Sequence, residues 1–257
     1  MVSKNTILTK NRLEDIEEVI AHSGRIVTAE DVHASLKGKY SRFVLKKRVY
    51  ELKEKGWLVP LRRGLYYVAD IATRGFVGVS PLIIAAAFDK DSYISMESAL
   101  SFHGLFEQML RTVSSVTARR NKNYKFQENT YKYFKIKKTA YFGYKTETLQ
   151  GHYIKVAELE KALLDYLYFK SSTYDIDLII EKMEKAAKLL DMDKVFRYCR
   201  KFPEATRRKL GFILDRCGVD TSRIHGLVSR AGYSRLTDAS KIFNAKWRIY
   251  CEDRFTR

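Results

Sequence analysis

The sequence predicts an α+β protein with an N-terminal winged helix-turn-helix, a middle α+β domain built on an antiparallel sheet, and a C-terminal helical bundle. Three observations predict it. The stretch SRFVLKKRVYELKEKGWLVPLRRGLYYV, from Ser41 to Val68, carries about four turns of mixed basic and apolar sequence, then a stop at Lys55-Gly56. Two short β-prone runs follow around Arg62-Arg63-Gly64, so the order is helix, then hairpin. From Arg111 the apolar period changes from helical to two, through TVSSVTARR, YKYFKIKK and AYFGYK, as strands with one buried face require. After residue 172 the helical spacing returns. These shifts place domains at residues 1–70, 78–170 and 172–257.

In the first domain Leu13, Ile16 and Ile20 follow i, i+3, i+7 spacing with Val19 beside them, so Asn11 to His22 reads as a helix ended by Ser23-Gly24. Thr28 precedes Glu30 and Asp31: a hydroxyl that caps backbone N–H groups, then acids suited to the positive end of a helix dipole. Val32 and Leu36 complete this short helix, and Gly38 supplies a turn. Ser41 caps the third helix, in which Leu45, Val49 and Leu52 share one side with Val44 at its margin. Lys46, Tyr50 and Lys53 lie opposite, flanked by Arg42, Phe43 and Lys47. Trp57, Val59 and Leu61 alternate in the strand that follows, and Leu65 to Val68 returns, with two arginines at the tip.

Helix, short helix, helix, hairpin is the order of a winged helix-turn-helix, whose third helix enters the major groove while the wing follows the backbone. The expected DNA-binding residues are Ser41, Arg42, Lys46, Lys47, Tyr50 and Lys53 on the helix, with Arg62 and Arg63 on the wing. Lys and Arg on phosphates supply affinity, and side chains that reach base edges supply sequence choice. Any amphipathic helix carries bases on its wet face, and winged helices also bind proteins. Helix, turn and wing together favour duplex DNA.

In the middle domain Ser80-Pro81 opens a short buried helix over residues 81–88. SYISMESALSFHGL gives a brief extended run, a cap at Ser95 and a second helix that Gly104 stops. The strands follow, with NKN and QEN as turns. HYIKVAELEKALLDYLYF then passes from strand to helix, with Leu159, Leu163 and Leu167 repeating at four and Ala162, Leu164 and Tyr166 widening the apolar face. The basic and aromatic alternation from Tyr131 to Lys138 suits a sheet with one buried face better than a base-stacking surface. His103 beside Phe102 reads as a core or cap residue, and His152 is equally isolated.

In the last domain Ile176, Ile180, Met183, Ala187 and Leu190 make one stripe, and Val195, Cys199 and Phe202 another. Pro203 starts a third helix, whose Leu210, Ile213, Leu214 and Cys217 face inward before Gly218 stops it. Arg207, Arg208 and Lys209 form the densest basic cluster here, a candidate surface for nucleic acid or an acidic protein and equally a solvated face.

Lys plus Arg number 48 against 30 Asp plus Glu, giving a formal net charge of +18 spread over all three domains. Such a surface favours polyanionic partners, nucleic acid first among them. The three cysteines fall in the last third without C-x-x-C or Cys/His ligand spacing, so free thiols and no metal are expected. No apolar run reaches the roughly 18 residues of a membrane span, and MVSKNTILTK lacks the apolar core of a signal peptide, which predicts a cytoplasmic protein without membrane contact. No coiled-coil seam is present, which leaves oligomeric state open.

Asp175-Ile176-Asp177 is the one arrangement with catalytic promise, since paired acids hold Mg²⁺ in nucleotidyl transfer. Lys170-Ser171-Ser172 before it lacks the glycine of a phosphate-cradling turn, and Asp175 reads as a capping residue for the helix that follows. None of G-x-x-x-x-G-K-[ST], G-x-S-x-G, H-E-x-x-H or G-x-G-x-x-G occurs. No catalytic residue and no cofactor are expected. The alternative is a nucleic-acid-processing enzyme or its specificity subunit, with the winged helix as a targeting module.

The blocks RRGLYYV, SYISMESALSFHGL, SSVTARR, YFGY and VAELEKALLDYLY, in this order and spacing over residues 25 to 170, resemble the AbiEi-type antitoxins of type IV toxin-antitoxin systems. RRKLGFILD and NAKWRIY resemble C-terminal features of the same family. The resemblance implies a transcription regulator whose N-terminal domain binds operator repeats upstream of its own operon. It also implies that the C-terminal part counters a cognate nucleotidyltransferase toxin without being consumed.

Overall fold

The computed structural model describes residues 8–69, 77–106 and 110–255, and the chain divides into two compact units, Met1–Phe88 and Asp89–Arg257. The expected boundary at Asp70 lies outside the described residues.

The first unit runs α1 (Lys10–Ser23), β1 (Ile26–Thr28), α2 (Ala29–Ser35), α3 (Arg42–Glu54), β2 (Leu58–Arg62), β3 (Leu65–Val68) and α4 (Pro81–Phe88). Gly24, at φ +76°, ends α1 in left-handed backbone that a side chain would disfavour. Thr28 and Asp31 form a full capping box on α2: the Thr28 hydroxyl accepts from the Asp31 N–H, and the Asp31 carboxylate accepts from the Thr28 N–H at 2.7 Å. Ser41 Oγ accepts from the Val44 N–H at 3.4 Å and starts α3. The hairpin β2–β3 pairs antiparallel from Leu58↔Val68 to Arg62↔Leu65. The sequence did not suggest β1, a three-residue strand that pairs antiparallel with β3 and gives the sheet order β1-β3-β2. Ile16 and Val19 of α1, Val32 of α2, Leu45 and Leu52 of α3, and Leu58 and Val68 of the hairpin make one core, with Val49 packed against it.

The second unit opens with β4 (Ser92–Ile94) and α5 (Met96–Phe102), followed by β5 (Thr112–Thr117), β6 (Lys122–Phe126), β7 (Asn129–Lys135), β8 (Tyr144–Leu149) and β9 (His152–Ala157). These strands form one six-stranded sheet of order β6-β7-β5-β4-β9-β8. It is mixed where an antiparallel sheet was expected, since β5–β7 and β4–β9 run parallel. Period-two alternation reports which face of a strand is buried and is blind to strand direction.

The helix α6 (Leu159–Phe169) is buried from Glu160 to Leu167, ionisable residues included. Lys161 and Asp165, both fully shielded, pair one turn apart, and Lys161 Nζ also donates to Tyr93 Oη at 2.7 Å. The Ser95 hydroxyl, expected to cap α5, instead donates to Asp165 Oδ2 at 2.7 Å, alongside Tyr93 Oη at 3.0 Å. Rings of Tyr93, Phe142 and Phe202 surround the ammonium at 4.9 to 5.3 Å. Burial lowers the Lys161 pKa and raises that of Asp165, and mutual attraction opposes both. The cluster joins β4, α5 and α6 and touches the chain just before the last large helix.

Then come α7 (Thr173–Ala186), α8 (Met192–Cys199), α9 (Glu204–Arg216), α10 (Ser222–His225), β10 (Ser234–Arg235), β11 (Ile242–Asn244) and β12 (Ile249–Cys251). The buried stripe of α7 is Ile176, Ile179, Met183 and Ala186, offset from the expected one because either i+3 or i+4 steps fit the apolar run. The expected helical bundle carries a small sheet as well, of order β10-β12-β11. Trp247, fully buried, lies over Gly211 of α9 so closely that a Cβ there would sit 2.1 Å from its ring. Cys199 and Cys251 are buried free thiols, and Cys217 is half-buried rather than facing fully inward.

Candidate nucleic-acid interface

The core side of α3 fixes which side chains it offers to solvent. Leu45 and Leu52 are buried, at 5% and 4% exposure, so the stripe one half-turn away must point outward. Arg42, Lys46, Lys47, Tyr50 and Lys53 are all exposed there, as are Arg62 and Arg63 on the wing. Gly64, at φ +76°, closes the turn after Arg63. Ser41 is exposed as well, but its hydroxyl is occupied by the cap of α3. Among the described residues Arg42, Lys46, Lys47, Lys53 and Arg63 make no ion pair, so their charges are not neutralised from within. The eight residues expected from the sequence thus lie on two elements of one unit.

Two ion pairs hold α3 against α1. Arg48 Nη1 lies 3.3 Å from Asp15 Oδ2, and Arg12 Nη2 lies 2.5 Å from Glu51 Oε2. Asp15 is buried, and Tyr40 Oη donates to its Oδ1 at 3.0 Å while the Arg48 guanidinium stacks 4.7 Å over the Tyr40 ring. Burial, together with the bond to Asp15, raises the Tyr40 pKa. Sequence reasoning missed this cluster because Asp15 of α1, Tyr40 of the α2–α3 connection and Arg48 of α3 meet only in the folded chain. It also left Phe43 out of the site, although this ring is 79% exposed in the first turn of α3.

The cluster Arg207, Arg208 and Lys209 does not form the shared basic surface expected of it. Arg207 donates to the carbonyls of Cys199, Arg200 and Leu227 at 2.9 to 3.1 Å. Arg208, 3% exposed, reaches the carbonyls of Ser229 and Ala231 and the Glu204 carboxylate. Lys209 is buried too, which lowers its pKa. Consecutive residues on a helix face different ways, and α9 is enclosed on most sides, so charge density in sequence did not become charge density on a surface.

The acids weighed for catalysis are apart in role. Ser172 caps α7 and donates its hydroxyl to Asp175 at 2.6 Å, so Asp175 supports the cap from inside the helix rather than supplying it. Asp177 pairs with Arg254 at 2.9 Å. Among the described residues no group of three or more His, Cys, Asp or Glu is placed to hold a metal ion. His103 ends α5 and its Nε2 bonds the Ala157 carbonyl at 2.8 Å, an exposed cap rather than a core residue. No described helix is long and apolar enough to cross a membrane.

No curated protein matches the chain. The fold as a whole is similar to the crystal structure of RV2827C protein from Mycobacterium tuberculosis, with a TM-score of 0.70 over 97% of this chain and 94% of that one. At 14% identity the likeness concerns fold alone. The family model that matches is described as "Transcriptional regulator, AbiEi antitoxin", and the match spans residues 14–69. Those residues run from α1 through the wing, so the similarity to AbiEi-type antitoxins extends to a family model over the winged-helix segment.

Proposed function

We propose that the chain represses its own operon by binding operator DNA through α3 and the β2–β3 wing, and that it counters a nucleotidyltransferase toxin through the residues after the winged helix. The observation that carries the first half is the array of unneutralised bases, Arg42, Lys46, Lys47 and Lys53, with Tyr50, on the face of α3 opposite its core. Arg62 and Arg63 are exposed on the wing of the same unit. In this reading the helix occupies the major groove and the wing arginines meet phosphates or the minor groove. The second half rests on the matched family's description as an antitoxin. The protein acts in the cytoplasm, without a cofactor and without a reaction of its own.

Footprinting on the DNA upstream of the gene tests the reading. Wild-type protein protects a discrete site, and Lys46→Ala and Arg62→Ala weaken that protection. Uniform coverage without a site, or protection unchanged in both variants, contradicts it.

A further inference from the structure

We propose that Phe43 reads sequence at this interface by packing its ring against the 5-methyl group of thymine in the major groove. The proposal rests on α3 being the recognition helix and adds which base that helix selects.

Phe43 is 79% exposed, matched among the large apolar side chains of the described residues by Tyr153 alone. It stands in the first turn of α3, two residues after the Ser41 cap. Lys47 and Tyr50 follow at four and seven residues, on the same line of the helix, with Lys46 beside them. The ring therefore sits in the middle of the face opposite Leu45 and Leu52. The core of this unit is complete without it, so its exposure contributes nothing to folding and leaves apolar surface in water. Val44, 37% exposed, adds a second apolar edge beside it.

The charges around the ring have one sign. Arg42, Lys46 and Lys47 are exposed, and none pairs with a carboxylate among the described residues. A partner for this face must be a polyanion that also offers an apolar group at the depth a first-turn side chain reaches. Duplex DNA meets both conditions where it contains thymine, whose C5 methyl is the apolar feature of the major-groove edge. Double-stranded RNA does not: its major groove is too narrow for side chains to read, and its uracil lacks the methyl.

The test uses the full chain and a labelled duplex of its own upstream region, made once with thymine and once with deoxyuridine throughout. Loss of the methyls should weaken wild-type binding by about fourfold for each one contacted, the effect of burying one methylene. Phe43→Ala should weaken binding to the thymine duplex by the same factor and be indifferent to the replacement, while Phe43→Leu keeps part of the preference. The comparison of two duplexes on wild-type protein needs no variant to fold. Equal wild-type binding to both duplexes overturns the proposal. So does a Phe43→Ala protein that still distinguishes them, or one whose sedimentation shows a lost self-association, which would assign the ring to a second copy of the chain. Binding that persists without thymine dependence leaves the operator reading intact, whereas no binding to the upstream duplex removes both.

Discussion

The Arg48 guanidinium lies 3.3 Å from the buried carboxylate of Asp15, and through this pair α3 is fixed to α1. A buried carboxylate deprived of its cation keeps its desolvation cost and loses its compensation. Arg48→Met should therefore lower the stability of the chain by about 3 kcal/mol in urea unfolding, with the Tyr40 hydroxyl and Lys39, whose Nζ lies 3.7 Å from Asp15 Oδ1, left to moderate the loss. Asp15→Leu combined with Arg48→Met should cost less than Arg48→Met alone, because no charge is then left unpaired. Equal or greater loss in the double variant would show that packing, not charge, holds the two helices.

Gly211 should resist replacement in spite of its place inside a helix. Alanine favours a helix over glycine by about 1 kcal/mol, but its Cβ would fall 2.1 Å from the Trp247 ring, so the ring or α9 must move. Overpacking of this kind costs about 1 to 3 kcal/mol or more, and Gly211→Ala should lower the melting temperature and alter tryptophan fluorescence. A variant at least as stable as wild type would mean that the indole relocates freely.

Acid should unfold the second unit through two carboxylates. Burial raises the pKa of Glu158, but hydrogen bonds from Tyr198 and Lys194 and the nearby Lys145 bring it below the ordinary value. Burial likewise raises that of Asp215, and bonds from Lys246, Trp247 and Thr221 outweigh it. With both folded-state pKa values depressed, the unfolded chain binds more protons between the folded and unfolded values, and stability rises with pH across that window. The contribution is complete above the ordinary carboxylate range of about 4 and is lost as pH falls through the folded values. Glu158→Gln with Asp215→Asn should be less stable at pH 7 and show a flatter melting temperature between about pH 5 and pH 3. An unchanged slope would rule these two groups out as the source.

If the proposed division of tasks is right, rescue from a toxin should not need the basic face of α3 or the wing. Residues 78–257 should protect cells expressing the cognate nucleotidyltransferase, and Lys46→Ala or Arg62→Ala in the full chain should protect them as wild type does. If either variant loses protection, neutralisation runs through DNA and the proposed division of tasks fails.

The winged helix was legible because its signals are local. Thr28 with Asp31, Ser41 before α3, and Gly64 after Arg63 each set one turn of backbone from their own neighbours. The strand β1 escaped notice because three residues carry no period; only pairing with β3 makes them a strand. Sheet direction in the second unit was hidden for a related reason, since the parallel pair β5–β7 depends on how the chain crosses over and not on alternation. Burial of ionisable groups was the largest failure of sequence reasoning. Lys161 and Asp165 lie one turn apart like any exposed helical pair, and only Tyr93 and Ser95, some seventy residues earlier, mark them as interior. Arg208 is interior for the same reason, since its partners Ser229 and Ala231 lie beyond the helix that carries it.

If α3 and the wing bind operator DNA by phosphate neutralisation and base contact together, salt-dependent binding to the upstream duplex reports both at once. Six bases, Arg42, Lys46, Lys47, Lys53, Arg62 and Arg63, on phosphates predict that log K falls with log salt at a slope of about −5 per chain. Lys46→Ala should reduce that slope by about 1, and an unrelated duplex should bind far more weakly at every salt concentration. Equal affinity for the upstream and unrelated duplexes, or a slope untouched by Lys46→Ala, would rule out operator binding through α3 and the wing.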